Sequence, residues 1–454
     1  MSVSSTEKEA VFLDGSILRH VLVMTATGSI GLVSVFIVDF LSLIYISWLG
    51  DPHLTAGVGF ATQISFFYIS LQVGLSIAIG ALVARQVGAG DRIGARKVAA
   101  AAMFHIALIS LVLSLASLPF VRPLLELTGA RGETLEAAML FSMITIPSNA
   151  LLAVGMAASS VLRAVGDARR SMYVLLSGAI VTALLDPILI LVLRFDVAGA
   201  ATTTVIARIC YAAIGFWGVV HVHDMLGRIS ARRLLHHLKP LLAIALPAIA
   251  ANLAAPVSTT YALKIFASYG EQVVAAMTVV DRVTSVAFGA TFALSGAVGP
   301  VIGQNFGAGR LDRVRATLLT CYGVAIAYGV VVWALLALSA PLIVAAFAAR
   351  GEMAELIVFY MRIGVAAWLF LACLFAANAA FNNLGYPFLA LIFNWGRATL
   401  GTIPFVTIGA HYGGPKGGII GMGAGAAFFG IAAILVSFGI ANRLAARRAE
   451  KSAT

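Results

Sequence analysis

The sequence predicts an all-α integral membrane protein of about twelve transmembrane helices, arranged as two pseudo-symmetric six-helix bundles. Three observations predict it. Of 454 residues, 61% are hydrophobic and only 11% charged, with a mean hydropathy of +1.00, which leaves too little polar surface to clothe a soluble domain. Apolar runs of about 20 residues or more, each able to cross a hydrocarbon core of roughly 30 Å, follow one another from Ile17 to Ala441. Landmarks of the first half return in the same order in the second.

The polar N-terminal segment, 1–16, precedes an apolar run that is too long for a signal-peptide core and lacks a small-residue cleavage site, so that run is expected to be retained as the first span. Cations then fall in alternate connections: Arg85, Arg92, Arg96 and Lys97 after span 2, Arg163, Arg169 and Arg170 after span 4, and Arg228, Arg232, Arg233 and Lys239 after span 6. Arg310, Arg313 and Arg315 follow span 8, and Arg443, Arg447, Arg448 and Lys451 close the chain. The other connections hold fewer. The positive-inside rule therefore places the even-numbered connections and both termini in the cytoplasm. The expected division is a cytoplasmic segment 1–16, a first lobe 17–222, a basic cytoplasmic linker 223–239, a second lobe 240–442 and a cytoplasmic tail 443–454. A net charge of +11 would suit a nucleic acid only on the basic face of a folded domain. Here the cations sit between spans, so the expected partner is the lipid bilayer and no nucleic acid. Cys210, Cys321 and Cys373 are isolated within apolar runs, which indicates neither a disulfide framework nor a metal site.

The repeat decides the architecture. "LSIAIGALVARQVGAGDRIGARK" answers to "LSGAVGPVIGQNFGAGRLDRVRA", with Gly88-Ala89-Gly90 on Gly307-Ala308-Gly309, 219 residues on. Gly166 in "RAVGDARRSM" falls on Gly385 in "NNLGYPFLAL" at the same offset, and Gly50 falls on Gly270. Six spans per unit is an even number, so both halves enter the membrane in one orientation, as parallel repeats of the kind found in carriers. One chain already holds both lobes, so a monomer is expected to suffice.

The stretch from "VDFLSLIYISWLGDPHLTAG" to "ALVARQVGAGDR" resembles the start of multidrug and toxic compound extrusion (MATE) carriers, with a valine-aspartate in helix 1, a Leu-Gly turn and a glycine-rich end before a basic loop. "LRAVGDARRSM" with "LLDPILI" resembles the family's helix 4 to 5 turn and helix 5, and "VVDRVTSV" with "GQNFGAGR" its helix 8. The resemblance implies a V-shaped MATE/MOP-like bundle of a bacterial cytoplasmic (inner) membrane. It also implies export of small amphipathic organic compounds in exchange for H⁺ or Na⁺, with no cofactor.

Asp39 stands twelve residues before Asp51, about 18 Å along a helix, too deep to reach water. A carboxylate there costs on the order of 3 kcal/mol on insertion scales and is expected to face the bundle interior as a functional group. Asp186 lies eight residues before Arg194, roughly 12 Å from the same outer side. By resemblance, Asp39 and Asp186 match the acids of an N-lobe cation site in one MATE branch. Thr182 stands where that branch has Asn, and Val35 where it has Tyr, which leaves H⁺ and Na⁺ both open. The two acids are expected to titrate as a coupled unit. Thr182, Thr204 and Asn149 either supply uncharged oxygen ligands or make interhelical hydrogen bonds.

The second lobe differs. The NorM-type acids of helices 7 and 10 are absent, since the helix 7 position reads Ala255, which places the chain nearer the DinF-type branch. The lobe carries Lys264, Arg282, Arg362 and Arg397, with Asp281 as the nearest acid. Lys264 and Asp281 are expected to pair across the helix 7 to 8 hairpin; the alternative is that the cations attract an anionic or zwitterionic substrate. "HVH" at 221–223 reads as a solvated loop, and no metal cluster is indicated. The expected function is a cation-coupled, H⁺-driven antiporter rather than an enzyme, since no HExxH, P-loop or converging nucleophile is present. A lipid-linked oligosaccharide flippase of the same superfamily is the competing carrier reading.

Overall fold

The protein is described here by a computed structural model covering residues 10–227 and 231–453, with side chains at 231–233 and 451–453 left out. Residues 1–9 and Arg228, and the side chains of Arg232, Arg233 and Lys451, lie outside the described residues. The described residues are all helix and connections, with no strand. The order is α1 (Ile17–Ser47), α2 (Pro52–Gly88), α3 (Arg92–Leu127), α4 (Gly132–Ala164), α5 (Ala168–Val192), α6 (Asp196–Val222) and α7 (Leu234–Ala267). Then come α8 (Glu271–Ala287 and Gly289–Gly307, bent by 43°), α9 (Leu311–Ala346) and α10 (Gly351–Leu384). The last stretch, Pro387–Glu450, leaves helical geometry at Gly413 and Gly414 and so divides into α11 (387–412) and α12 (415–450). α1–α7, α9 and α10 are each long and apolar enough to cross a membrane, as are α8 as a bent pair and the stretch that α11 and α12 divide.

The repeat is written into the backbone. Gly90, Gly132 and Gly166 turn with φ of 76°, 55° and 91°, and Gly309, Gly351 and Gly385 turn with 73°, 58° and 93° at the 219-residue offset. These are left-handed conformations in which a Cβ is disfavoured, so the same turn chemistry ends the same helices twice.

The chain forms two compact units, the first holding Ile30–Ile249 and the second Phe12–Ser29 with Ala250–Thr454. The cut expected within 223–239 instead falls inside α1 and α7. Close packing shows why α1 changes neighbours. A Cβ on Gly28 would lie 3.3 Å from Ala293 Cβ in α8, whereas a Cβ on Gly31 would lie 3.1 Å from Leu175 in α5. Gly74 of α2 likewise admits the backbone of Ile249, whose nitrogen would lie 2.7 Å from an added Cβ.

The segment ahead of each of these helices is anchored to a unit. In the second, Phe12 is 2% exposed; its N–H donates to Gln304 Oε1 (3.0 Å) and its carbonyl accepts from Asn305 Nδ2 and Arg313, both at 3.2 Å. In the first, Arg92 donates to the His223 carbonyl (2.7 Å) and Gly227 N–H to the Arg96 carbonyl (3.1 Å). Much of the basic loop charge is therefore occupied with backbone carbonyls.

Candidate functional site: a polar cluster in the first unit

Two helix irregularities and one close packing contact build the site. Pro187 follows Asp186 and can neither donate a hydrogen bond nor fit the preceding turn, and Pro187–Val192 widens to a π-helix. Asp186 thus ends the regular part of α5. In α4, Ile146–Ser148, with Pro147 at its centre, tightens to a 3₁₀ turn, and the Thr145 carbonyl there accepts from Ser148 Oγ (2.7 Å) and from Arg208 of α6 (2.6 Å). Arg208 also donates to Ser148 Oγ at 2.8 Å. In α6 itself, Tyr211 lies against Gly155 of α4 and Gly178 of α5, where any Cβ would strike it.

Asp186 is 2% exposed. Its Oδ2 accepts from Ser42 Oγ of α1, and Thr203 of α6 lies beside the carboxylate while donating to its own helix at Gly199 O (3.1 Å). Oδ1 is buried without a hydrogen-bond partner, an arrangement that is costly for an ionised oxygen. Asp39 sits three residues, about one turn, before Ser42 on α1. Asp186, Arg208 and Tyr211 are its electrostatic neighbours. The expected pair is therefore brought together, with Asp186 the enclosed acid and Asp39 the exposed one. The cluster offers two carboxylates, one of them with a free oxygen, a guanidinium and two hydroxyls. That chemistry suits taking up and releasing a small cation.

The uncharged candidates take other parts. Thr182 and Thr204 donate to Gly178 O and Ala200 O of their own helices, each at 2.9 Å. Asn149 is buried and its carbonyl accepts from Gln72 Nε2 of α2 (3.1 Å). Ser42, Thr203 and Arg208 are the groups that sequence reasoning missed. A lone arginine within "TTTVIARICYAAIGFW" is as conspicuous as Asp39, whereas serine and threonine are too common in membrane helices to stand out.

In the second unit, Lys264, Asp281, Arg282 and Arg362 are exposed and Arg397 is half-buried. No ion pair joins any of them among the described residues, where the second unit's pairs are Arg310–Asp14 and Lys416–Glu355. The expected Lys264–Asp281 bridge is not formed. Depth explains it: Lys264 is six residues, about 9 Å, from the Gly270 turn, and Asp281 eleven residues, about 16 Å. Away from the membrane, His223 is not a solvated loop residue; its Nε2 lies 2.8 Å from Asp167 Oδ2, and both side chains are nearly buried. Burial, the largest single influence, raises the Asp167 carboxyl. Hydrogen bonds with His223 and with Arg170, plus the Arg170 charge, outweigh it and hold the group well below the usual carboxylate range.

Comparison with known proteins decides the family. The MatE family profile matches residues 29–188 and again 247–408, one match in each half of the chain. The chain belongs to the MatE family. It is a multi-pass membrane transporter, not an enzyme, and its ligands are small molecules. Over 416 residues it is 26% identical to a Shewanella oneidensis protein named FAD transporter, covering 89% of this chain and 91% of that one. Over 405 residues it is 22% identical to the multidrug export protein MepA of Staphylococcus haemolyticus, covering 88% and 86%. Among solved structures, a MOP superfamily transporter from Pyrococcus furiosus superposes with a TM-score of 0.88 at 22% identity, covering 98% of this chain and 99% of that one. A MATE crystallised in a straight conformation gives 0.89 at 23%, covering 96% and 99%.

Proposed function

We propose that this MatE-family chain is a proton-coupled antiporter of a bacterial cytoplasmic membrane, acting as a monomer with both termini inside and exporting amphipathic organic compounds. Protons enter through Asp39 and Asp186. The observation that carries this reading is the Asp186 carboxylate, enclosed at 2% exposure with Oδ1 unpartnered, beside a second acid one turn from the serine that bonds it. Protonating Asp186 at Oδ1 removes the buried charge and weakens the bond that Ser42 donates to Oδ2. Since Ser42 and Asp39 share α1, the proton loosens the tie between α1 and α5, and the substrate is released as α1 shifts. The printed name of MepA, multidrug export, supports the substrate class.

The test is dye efflux from proteoliposomes under an imposed pH gradient or an imposed Na⁺ gradient, for the native protein, Asp39→Asn and Asp186→Asn. Efflux should follow the pH gradient and fall in both variants to the rate of protein-free vesicles. Efflux driven by Na⁺ alone, or undiminished in Asp186→Asn, would overturn the reading.

A second reading is favoured by one observation: the cations Lys264, Arg282, Arg362 and Arg397 stand without ion pairs among the described residues of the second unit. They suit an anionic substrate, and the FAD transporter relative is named for one. Faster counterflow of FAD than of a cationic dye, weakened by Arg397→Gln, would favour it; the opposite order would remove it.

A further inference from the structure

Arg208 is placed where no aqueous role explains it. It stands twelve residues into α6, about 18 Å from the Asp196 end, the depth computed for Asp39 from the Asp51 turn. The side chain is 8% exposed, and an arginine so deep in a membrane helix marks a functional group unless it is paired. It is not paired in the ordinary sense. Its Nη1 is fixed by the Thr145 carbonyl (2.6 Å) and Ser148 Oγ (2.8 Å), both at the 3₁₀ break of α4. No carboxylate lies within ion-pair distance among the described residues, yet Asp39 is its electrostatic neighbour, and Asp39 in turn neighbours Asp186. The groups of α2 and α4 that line this region are uncharged: Gln72, Thr145, Ser148 and Asn149. From α6 itself comes Tyr211.

We infer that Arg208 is a resident cation that sets the charge of the Asp39–Asp186 site, so that the site takes up one proton per cycle and does not take Na⁺. The inference rests on the proton-coupled reading above and names the residue that makes it selective. Two ionised carboxylates with one fixed guanidinium carry a net charge of −1, which a single proton neutralises. Without the guanidinium the same site carries −2, the charge that favours a dehydrated alkali ion held by both acids and the Ser42 and Thr203 oxygens, or else two protons. Because the guanidinium is tied to α4 and not to either acid, the carboxylates keep their lone pairs for the proton. A directly bridged arginine would consume them.

The experiment measures ions moved per substrate in proteoliposomes, from reversal of substrate flux under opposed pH and substrate gradients. Na⁺ drive is measured separately with the pH gradient collapsed, and folding by thermal unfolding in detergent. The variants are Arg208→Lys, Arg208→Gln and the charge-balanced double variant Arg208→Gln with Asp39→Asn. Native protein and Arg208→Lys should move one proton and show no Na⁺ drive. Arg208→Gln should show at least about a tenfold gain in Na⁺-driven flux, or two protons per substrate, and the double variant should return to one proton without Na⁺ drive. A folded Arg208→Gln that keeps native stoichiometry and ion preference overturns the inference. So does failure of Arg208→Gln and the double variant alike to fold, which would make the guanidinium a brace for α4. If the native protein is itself driven by Na⁺, the proton-coupled reading fails before any variant is compared.

Discussion

Position by position, the two halves of the chain turn at matched glycines and then diverge in what they bury. At the 219-residue offset, Arg163, Asp186 and Arg208 of the first half stand on Asn382, Phe405 and Ala427 of the second, and Asp39, eleven residues before Gly50, stands on Thr259, eleven residues before Gly270. The helix ends diverge too. Asp51, Asp91 and Asp167 cap α2, α3 and α5 by accepting from backbone N–H groups, while the residues at the starts of α8, α9 and α11 are Gly270, Arg310 and Tyr386, with no side-chain cap. A left-handed turn accepts few residues other than glycine, so the turns stay alike. A charge inside a membrane is costly, and at these matched positions the first half alone carries one.

The sharpest way to break that comparison is to remove matched residues. Asp39→Asn is expected to abolish gradient-driven efflux, whereas Thr259→Ala should leave the rate within about twofold, the scale of a sub-kcal/mol change. Equal losses would mean that both halves bind the coupling ion. Arg163 comes next. Its guanidinium donates to Ser159 Oγ (2.9 Å), Ser160 Oγ (2.9 Å) and Ser171 Oγ (3.0 Å) across the α4–α5 turn. Arg163→Ala leaves these hydroxyls without their charged donor and should cost about 3 kcal/mol of stability. Asn382→Ala, at the matched position in α10, removes a neutral amide and should cost about 1 kcal/mol. Denaturation of the two variants in detergent ranks them.

What was legible followed from spacing and from charge. Twelve spans, the repeat and the Asp39–Asp186 association need only run lengths, an offset and two acids at similar depth. The parts that were not legible depend on three-dimensional packing. The cut between units falls at Gly28–Gly31 within α1, because α1 exchanges Ala293 for Leu175 as its neighbour, and no composition shift marks that place. Ser42 was indistinguishable from the serines that merely bond back to their own helix, such as Ser34 to Ile30 O. The Lys264–Asp281 pairing does not form because the two residues lie at unequal depths from the Gly270 turn that joins their helices. Arg208 is as legible as Asp39, since each is a lone charge deep within an apolar run.

The turns offer a test of what the halves share. Gly90→Ala and Gly309→Ala both force a Cβ into the left-handed region, which costs roughly 1–2 kcal/mol. A Cβ on Gly90 meets nothing within 4 Å, and one on Gly309 meets only the flexible tip of Arg448. The two losses should therefore agree within about 0.5 kcal/mol, the limit for sites that differ only in easily moved surroundings. A much larger loss at Gly309 would mean that Arg448 is held firmly, and that the matched turns have come to carry unequal loads.

The smallest expected effect concerns the cap that the second half lacks. Asp167 accepts from Arg170 N–H (3.0 Å) and contacts Arg170 Nη1 (2.5 Å) as well as His223 Nε2 (2.8 Å). Asparagine caps a helix as well as aspartate does, so Asp167→Asn keeps the Oδ1 cap while removing the charge and the Oδ2 acceptor that meets Arg170 Nη1 and His223 Nε2. The folded carboxyl lies below its unfolded value, so ionisation stabilises the fold at every pH above that unfolded value, near 4, and the contribution fades only as pH falls through the folded value. The native protein should exceed Asp167→Asn by about 1 kcal/mol between pH 5 and 7, a partly exposed charge contact being worth no more, and the gap should narrow below about pH 4. Tyr386→Asn, at the matched position in the second half, adds a capping side chain without a charge. It should leave the pH dependence unchanged; a pH-dependent response there would show that α11 meets a titrating partner of its own.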